Sequence, residues 1–106
     1  MSHFRPSKSA SEDLVAIYIQ SHDLFGPRQA DRYQNELETL FQRLAESPWM
    51  ARVRLEYTPP PRIFAYKAHV IVYDEAEEGV VIQRVRHSAE NWVDDPHGDA
   101  SEGAPT

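Results

Sequence analysis

Side chains capable of acid–base chemistry and anion binding lie close together in the second half of the chain. His69, Tyr73, Arg84 and His87 fall in two segments rich in valine and isoleucine. A histidine beside arginines could protonate a leaving group and stabilise the charge that builds on phosphorus, which are two parts of RNA cleavage. Together with Arg62, the two histidines and Arg84 form the candidate catalytic set of an endoribonuclease.

The same region also suits a binding surface for another macromolecule. Six of the eleven Lys and Arg residues lie in segments with strand periodicity: Arg52, Arg54, Arg62, Lys67, Arg84 and Arg86. Arg84 and Arg86 share one side of a strand because alternate residues face the same way. Trp92 follows that strand, where its ring could anchor a partner, whereas Trp49 is expected to close one end of the core. The candidate partner-binding residues are Arg62, Arg84, Arg86, Tyr73 and Trp92.

Residue types and spacing exclude several classes of site. The chain has no cysteine, which rules out disulfide scaffolds, cysteine-rich zinc sites and thiol nucleophiles. Its five histidines lack the H-x-x-x-H or H-x-H spacing of metal ligands. Its four glycines form no phosphate-binding loop. We therefore expect neither a metal nor a cofactor.

Two amphipathic helices are predicted in the first half of the chain. Ser9–Glu12 has the form of a capping box, so a helix is expected from about Glu12 to Ser21. A longer helix is expected over Pro27–Glu46, where apolar residues recur in steps of three and four. Ser47-Pro48 should end it, since the residue before a proline disfavours the helical conformation.

From residue 52 onward the apolar period changes to two, which is typical of strands. Strands are expected over Arg52–Tyr57 and Arg62–Lys67, and over Ala68–Tyr73 and Gly79–His87, which form a hairpin around an acidic turn. The predicted fold is α+β, with a short N-terminal strand, a helical hairpin and then a three- to four-stranded antiparallel sheet. The helices should cover one face of this sheet and leave the opposite, arginine-bearing face open to a partner.

Length and charge place these elements in a single domain. The chain has 106 residues, a common domain size, and its apolar runs are too short to span a bilayer. We expect a cytoplasmic protein without membrane contact.

The net charge of −6 argues against a protein that coats nucleic acid, and we expect no sequence-specific nucleic-acid binding. Residues 1–93 should form the domain, and residues 94–106 an acidic disordered tail.

Short fragments between Ala10 and Trp92 carry a family pattern. They are Ala10-x-x-Asp13-Leu14-x-x-Ile17, Phe25-Gly26 with Ala30 and Tyr33, Leu44-Ala45-x-x-Pro48, Arg62-x-Phe64, His69-Val70-Ile71-x-Tyr73 and Ile82-x-Arg84-Val85-x-His87. In this order and spacing, the chain resembles the ParE branch of the RelE/ParE toxin superfamily of bacterial type II toxin–antitoxin modules. It departs from that pattern at Pro6, where an aliphatic residue usually ends the first strand, at Arg86, which replaces a leucine, and in its long acidic tail.

The resemblance implies both a function and partners. It implies a RelE/ParE-like fold and a toxin that inhibits DNA gyrase and is neutralised by a cognate ParD-type antitoxin in a toxin–antitoxin hetero-oligomer. Relatives of the RelE type instead cut messenger RNA on the ribosome, with a lysine-rich catalytic set that is not evident in this chain. Three functions therefore stay open: a gyrase-binding toxin that is not an enzyme, which the scarcity of lysine favours, a ribosome-dependent endoribonuclease, and an inactive remnant that binds only its antitoxin.

Overall fold

The computed structural model describes residues 2–97, which form one sheet packed against a helical hairpin. The elements in chain order are strand β1 (His3–Pro6), helix α1 (Lys8–Phe25), helix α2 (Pro27–Glu46), a 3-10 turn (Pro48–Met50), and strands β2 (Arg62–Tyr66), β3 (His69–Ala76) and β4 (Gly79–His87). Residues 98–106 of the predicted tail lie outside the described residues. Within residues 2–97, neither helix carries an apolar stretch that could cross a membrane.

The sheet has the strand order β1-β4-β3-β2 and is mixed. Strands β2, β3 and β4 are antiparallel neighbours, as expected, whereas β1 runs parallel to β4. The predicted α+β class is confirmed. The predicted short N-terminal strand is present, ends at Pro6, and joins the edge of the sheet.

Helix α1 is longer at both ends than the predicted range of 12–21. Its N-cap is Ser7 and not Ser9, since the Ser7 hydroxyl accepts a hydrogen bond from the amide of Ala10 at 3.0 Å. The same hydroxyl donates to the carbonyl of Gln83 at 2.8 Å. Ser7 is the cap because its hydroxyl also binds β4. A capping-box pattern is local and holds no information about this tertiary contact. At the other end, the helix continues until Gly26, whose φ of 90° ends it.

Helix α2 has the predicted bounds and forms most of the helical side of the core. Its buried residues are Ala30, Leu37, Leu40, Phe41, Leu44 and Ala45. Most of these pack in one cluster with Ile71 and Tyr73 of β3 and with Val80, Ile82 and Val85 of β4. The helices therefore lie on one face of the sheet, as predicted.

A β-bulge in β4 decides which face its side chains take. Gln83 is the extra residue, because the pairing moves from Ile82 to Arg84 between neighbouring residues of β3. A bulge shifts the alternation of faces by one residue. Val85 therefore joins Ile82 in the helix-side core, and Arg84 and Arg86 face the opposite side.

The turn between β3 and β4 is shorter than the predicted acidic turn. β3 extends to Ala76, which pairs with Gly79, so that the turn is Glu77–Glu78 alone. Gly79 has a φ of 149°, and a Cβ atom there would lie 1.9 Å from the carbonyl oxygen of His3. Glycine is required at this position because β1 approaches the start of β4 so closely.

Residues 52–57 do not form the predicted strand. Val53 makes an isolated bridge to Arg62, and no ladder continues from it among the described residues. Leu55 is 80% exposed, so the alternation in this segment does not mark a buried face. Trp49 is also exposed, at 72%, and the expectation that it closes the core is wrong.

Candidate partner-binding site

Arg84 is held by a carboxylate of the helical hairpin. Its Nε and Nη2 atoms donate to the two carboxylate oxygens of Asp13 in α1, at 2.7 and 2.9 Å. The same carboxylate accepts a hydrogen bond from the amide of Val85 at 3.0 Å. Since β1 pairs with β4 only as far as Ile82, Asp13 satisfies an amide on the part of the β4 edge that β1 does not reach. This bidentate pair fixes the guanidinium in one orientation.

The last described residues of the chain lie across the two arginines. The Nη1 atom of Arg84 donates to the carbonyl of His97 at 2.8 Å. The Nη1 atom of Arg86 donates to the carbonyls of Asp95 and Pro96, at 2.8 and 3.1 Å. Pro96 is buried. The domain boundary expected at residue 93 therefore leaves out residues that contact the sheet.

The face of the sheet away from the helices is not open at this point, contrary to expectation. Val70 and Val72 of β3 are 4% and 0% exposed, although they do not belong to the helix-side core. They pair in register with Arg86 and Arg84, and directly opposite side chains share a face. The aliphatic stems of the arginines share this face with the valines, and residues 95–97, with the buried Pro96, lie across the arginines. The chain's own residues thus fill a surface that the sequence predicts to be bare.

The other candidate partner-binding residues lie in different surroundings. Arg62, at the start of β2, pairs with the carboxylate of Glu75 at 2.5 Å. Tyr73 is fully buried, and its hydroxyl donates to the carbonyl of Pro48 at 2.7 Å. Tyr73 is therefore a core residue and does not present its ring to a partner. Trp92 is half-buried and precedes the residues held by the arginines.

His69 and His87 meet where β3 begins and β4 ends. They pair directly across the two strands, and their ring centroids are 5.3 Å apart. The Nδ1 atom of the buried His69 lies 2.7 Å from the hydroxyl of Tyr33, while the exposed His87 accepts at Nδ1 from the amide of Ala89. Burial, and then the neighbouring His87, lowers the pKa of His69, which keeps its ring neutral at pH 7. Burial raises the pKa of Tyr33 to about 12.

A cavity of about 410 Å³ opens beside these rings, between them and the end of α1. It is lined by both histidines, Tyr33, Lys67 and Phe25, among others. The cavity combines two imidazole rings with an exposed apolar rim, since Phe25 is 61% exposed. Among residues 2–97, no three potential metal ligands converge.

The four residues of the candidate endoribonuclease set are not brought together. His69 and His87 are in contact, but Arg84 and His87 are three residues apart on β4 and so face opposite sides of the strand. Arg62 lies four positions along β2 from the residue that pairs with His69, which is roughly 13 Å. The structure thus separates both arginines from the histidine pair.

Sequence reasoning missed an exposed apolar strip on α1, formed by Val15 and Ile19. These side chains are 60% and 55% exposed, whereas Ile17, expected on the inward side, is 8% exposed. A groove of about 410 Å³ lies beside them. The signal was present in the sequence, because the unbroken apolar run in α1 has more apolar side chains than one helix face can bury. Exposed apolar surface of this kind is typical of protein contact sites.

Comparison with known proteins identifies the family. Residues 4–92 match the family model described as "ParE toxin of type II toxin-antitoxin system, parDE". The chain belongs to the ParE toxin family. Toxin ParE1 of Caulobacter vibrioides is 32% identical over 91 residues, which cover 86% of this chain and 94% of that protein. Toxin ParE1 of Mycobacterium tuberculosis is 30% identical over 87 residues, which cover 81% of this chain and 89% of that protein.

The ParE fold is also found in a solved relative of low sequence identity. A chain from the chromosomal ParDE TA system of P. aeruginosa superposes with a TM-score of 0.69 at 19% identity, covering 82% of this chain and 96% of that chain. The resemblance inferred from the sequence fragments is therefore confirmed. The matched range of this ParE-family toxin includes Arg84 and Arg86 but stops at residue 92, before the carbonyls that the two arginines hold.

Proposed function

We propose that this chain inhibits DNA gyrase and is neutralised by a ParD-type antitoxin. The observation that carries the proposal is the match of residues 4–92 to the ParE toxin model, since gyrase inhibition is the activity that the ParE resemblance implies. The geometry supports a binding protein over an enzyme, because the arginines that would stabilise a cleaved phosphate lie away from His69 and His87.

The first experiment measures gyrase activity directly. Purified toxin is added to gyrase and relaxed plasmid, and supercoiling is followed on a gel. We expect supercoiling to fall as toxin is added and to recover when the product of the adjacent reading frame, the expected antitoxin, is present. In cells, induction should cause filamentation and a DNA-damage response with intact transcripts. Undamaged DNA with transcripts cut within minutes would contradict the gyrase proposal.

The apolar strip on α1 is the surface we assign to the antitoxin. An antitoxin helix laid along Val15 and Ile19 would remove both side chains from water, a gain of about 25 cal/mol per Å² of apolar area. The P. aeruginosa relative comes from a ParDE system, which supports a ParD-type partner for this chain as well.

Substitutions on that strip separate antitoxin binding from toxicity. The double variant Val15→Glu, Ile19→Glu should escape neutralisation while it still inhibits gyrase. Leu55→Glu is the matched control, because Leu55 is 80% exposed in a loop outside the strip, and it should behave as the native chain. If the antitoxin neutralises the double variant as well as the native chain, the strip is not its binding surface.

A second candidate is the endoribonuclease, which the contact between His69 and His87 beside a cavity favours. Under that function, His87→Ala should abolish transcript cleavage in induced cells. The same substitution should leave gyrase inhibition unchanged if the first proposal is right. The inactive remnant differs from both, since it would bind the antitoxin and show neither gyrase inhibition nor cleavage.

A further inference from the structure

Arg84 and Arg86 act together as a clamp on main-chain oxygens. Their Nη1 atoms donate to the carbonyls of three consecutive residues, Asp95, Pro96 and His97, at 2.8 to 3.1 Å. Every peptide presents carbonyl groups, so contacts of this type select the path of a chain more than its sequence. Pro96 is the residue of this segment whose side chain is buried, so it is the position at which the site can distinguish one sequence from another.

The clamp is held in shape by groups outside the segment that it binds. Asp13 orients Arg84 through two hydrogen bonds. Glu90 accepts from the Nε atom of Arg86 at 3.2 Å and from the amide of His87 at 2.8 Å. The arginine side chains are 15% and 12% exposed. Both guanidinium groups are therefore held by contacts that do not involve residues 95–97.

The resident segment fits the clamp imperfectly. The Nε2 atom of His97 is buried and has no hydrogen-bond partner among the described residues, which is unfavourable for a polar atom out of contact with water. Residues 95–97 are in neither a helix nor a strand, so no ladder of backbone hydrogen bonds holds them in place. They also follow the range that matches the ParE model.

We propose that Arg84 and Arg86 form an exchangeable site for a non-helical, proline-containing peptide segment of a partner protein, and that residues 95–97 occupy this site in the free chain. The partner segment offers consecutive carbonyls to the arginines and covers Val70 and Val72 with its proline. Because Asp13 and Glu90 balance the arginine charges, hydrogen bonding and apolar burial carry the recognition. The chain's own segment is tethered and competes at a high effective concentration, so it excludes weak ligands. This inference is independent of the gyrase target.

The test uses the full-length protein and a fluorescent peptide with the sequence of residues 92–99. Pro96→Lys in the protein should release its own segment, because a buried ring is replaced by a charged side chain that would have to leave water at this position. We expect the peptide, followed by fluorescence anisotropy, to bind this variant at least tenfold more tightly than the native chain. Adding Arg86→Ala to the variant should remove the binding. A peptide that itself carries Pro96→Lys is the matched control and should bind neither protein.

Several results would overturn the proposal. They are equal affinity for the native chain and the Pro96→Lys variant, binding that survives Arg86→Ala, and absence of binding to any form. If Pro96→Lys does not fold, methyl NMR of the native chain with a nitroxide-labelled form of the same peptide decides. Saturable paramagnetic broadening should appear at Val70 and Val72 and not at Ile17 in the helix-side core. Unbroadened valine methyls at millimolar peptide, or broadening at Ile17 alone, would refute the site.

Discussion

The carboxylate of Asp13 should contribute more to stability than any exposed charge of the chain. It joins α1 to β4 through three hydrogen bonds, two from Arg84 and one from the amide of Val85. The substitution Asp13→Ala removes all three hydrogen bonds at once. It leaves a mostly buried guanidinium without its carboxylate and an amide on the β4 edge without an acceptor.

The size of the effect follows from these two losses. An unsatisfied amide costs about 1–3 kcal/mol. Removing one partner of a fully buried ion pair costs about 3–5 kcal/mol, and less for Arg84 and Asp13, whose side chains keep 15% and 17% exposure. Water that enters the vacated space offsets part of both terms. We expect Asp13→Ala to lower the free energy of unfolding by about 3 kcal/mol, a large share of the 5–15 kcal/mol of a typical domain.

The assay is urea unfolding at pH 7, followed by circular dichroism, with midpoints and slopes compared between variants. Asp13→Asn keeps an oxygen for the amide of Val85 but removes the charge and replaces the acceptor for the Nη2 atom of Arg84 by a donor, so it should cost less than Asp13→Ala, roughly half as much. Lys67→Ala is the control, because it breaks a pair with Glu36 whose lysine side chain is 56% exposed, and should cost less than about 1 kcal/mol. Equal losses for Asp13→Ala and Lys67→Ala would refute the reasoning.

Other substitutions address a buried hydroxyl, the tight turn and a neutral histidine. Tyr73→Phe removes the hydrogen bond to the Pro48 carbonyl and should cost about 1–2 kcal/mol in the same assay, whereas an unchanged midpoint would contradict its burial. Gly79→Ala places a methyl group against the His3 carbonyl and should detach β1, seen as faster hydrogen exchange at residues 3–5; protected amides there would argue against the close approach. Because burial holds the pKa of His69 below 6.5, the unfolded chain takes up a proton more readily, and stability should fall as the pH drops below that value. His69→Gln should flatten this pH dependence of the urea midpoint, and an equal slope in both proteins would assign it to another group.

Local periodicity predicts the bounds of a helix or strand where the residues of that element alone determine them. Pro27–Glu46 has the expected bounds because it carries a regular apolar face and the stop signal Ser47-Pro48, and Gly79–His87 has them because it is rich in valine and isoleucine. The end of β3 was missed because Asp74 resembles a turn residue. In the structure its carboxylate accepts a hydrogen bond from the side chain of Gln83 at 2.9 Å, which keeps an acidic residue within the strand.

The remaining errors arise where a distant residue decides the local structure. The start of α1 depends on a contact between Ser7 and Gln83 that spans 76 positions. The parallel pairing of β1 depends on the close approach that Gly79 permits. The alternation in residues 52–57 is present, but the segment has no ladder among the described strands and stays outside the sheet. Periodicity indicates which faces are apolar, and it contains no information about which face meets which.

In the candidate site, too, the sequence identifies the residues but does not determine where they lie. Arginines on β4 are evident in the sequence, whereas their positions depend on the bulge at Gln83. A hairpin with the observed two-residue turn and no bulge would pair Arg84 with Ile71, whose side chain faces the helices. Two charges would then enter the apolar core. The extra residue instead turns Arg84 and Arg86 to the opposite face, where they meet the carbonyls of residues 95–97.

The bulge also accounts for the histidine pair, which sequence spacing does not place. Without the extra residue, His69 would lie opposite Arg86, and the shift by one position brings it opposite His87. Alternation along β4 alone places Arg84 and Arg86 on the side opposite to His87, and the inserted residue decides which face of the sheet each side takes. It moves the two arginines away from the face of His69 and towards the carbonyls of residues 95–97, so the separation of the β4 arginines from the histidine pair depends on Gln83 as well as on the arginines themselves.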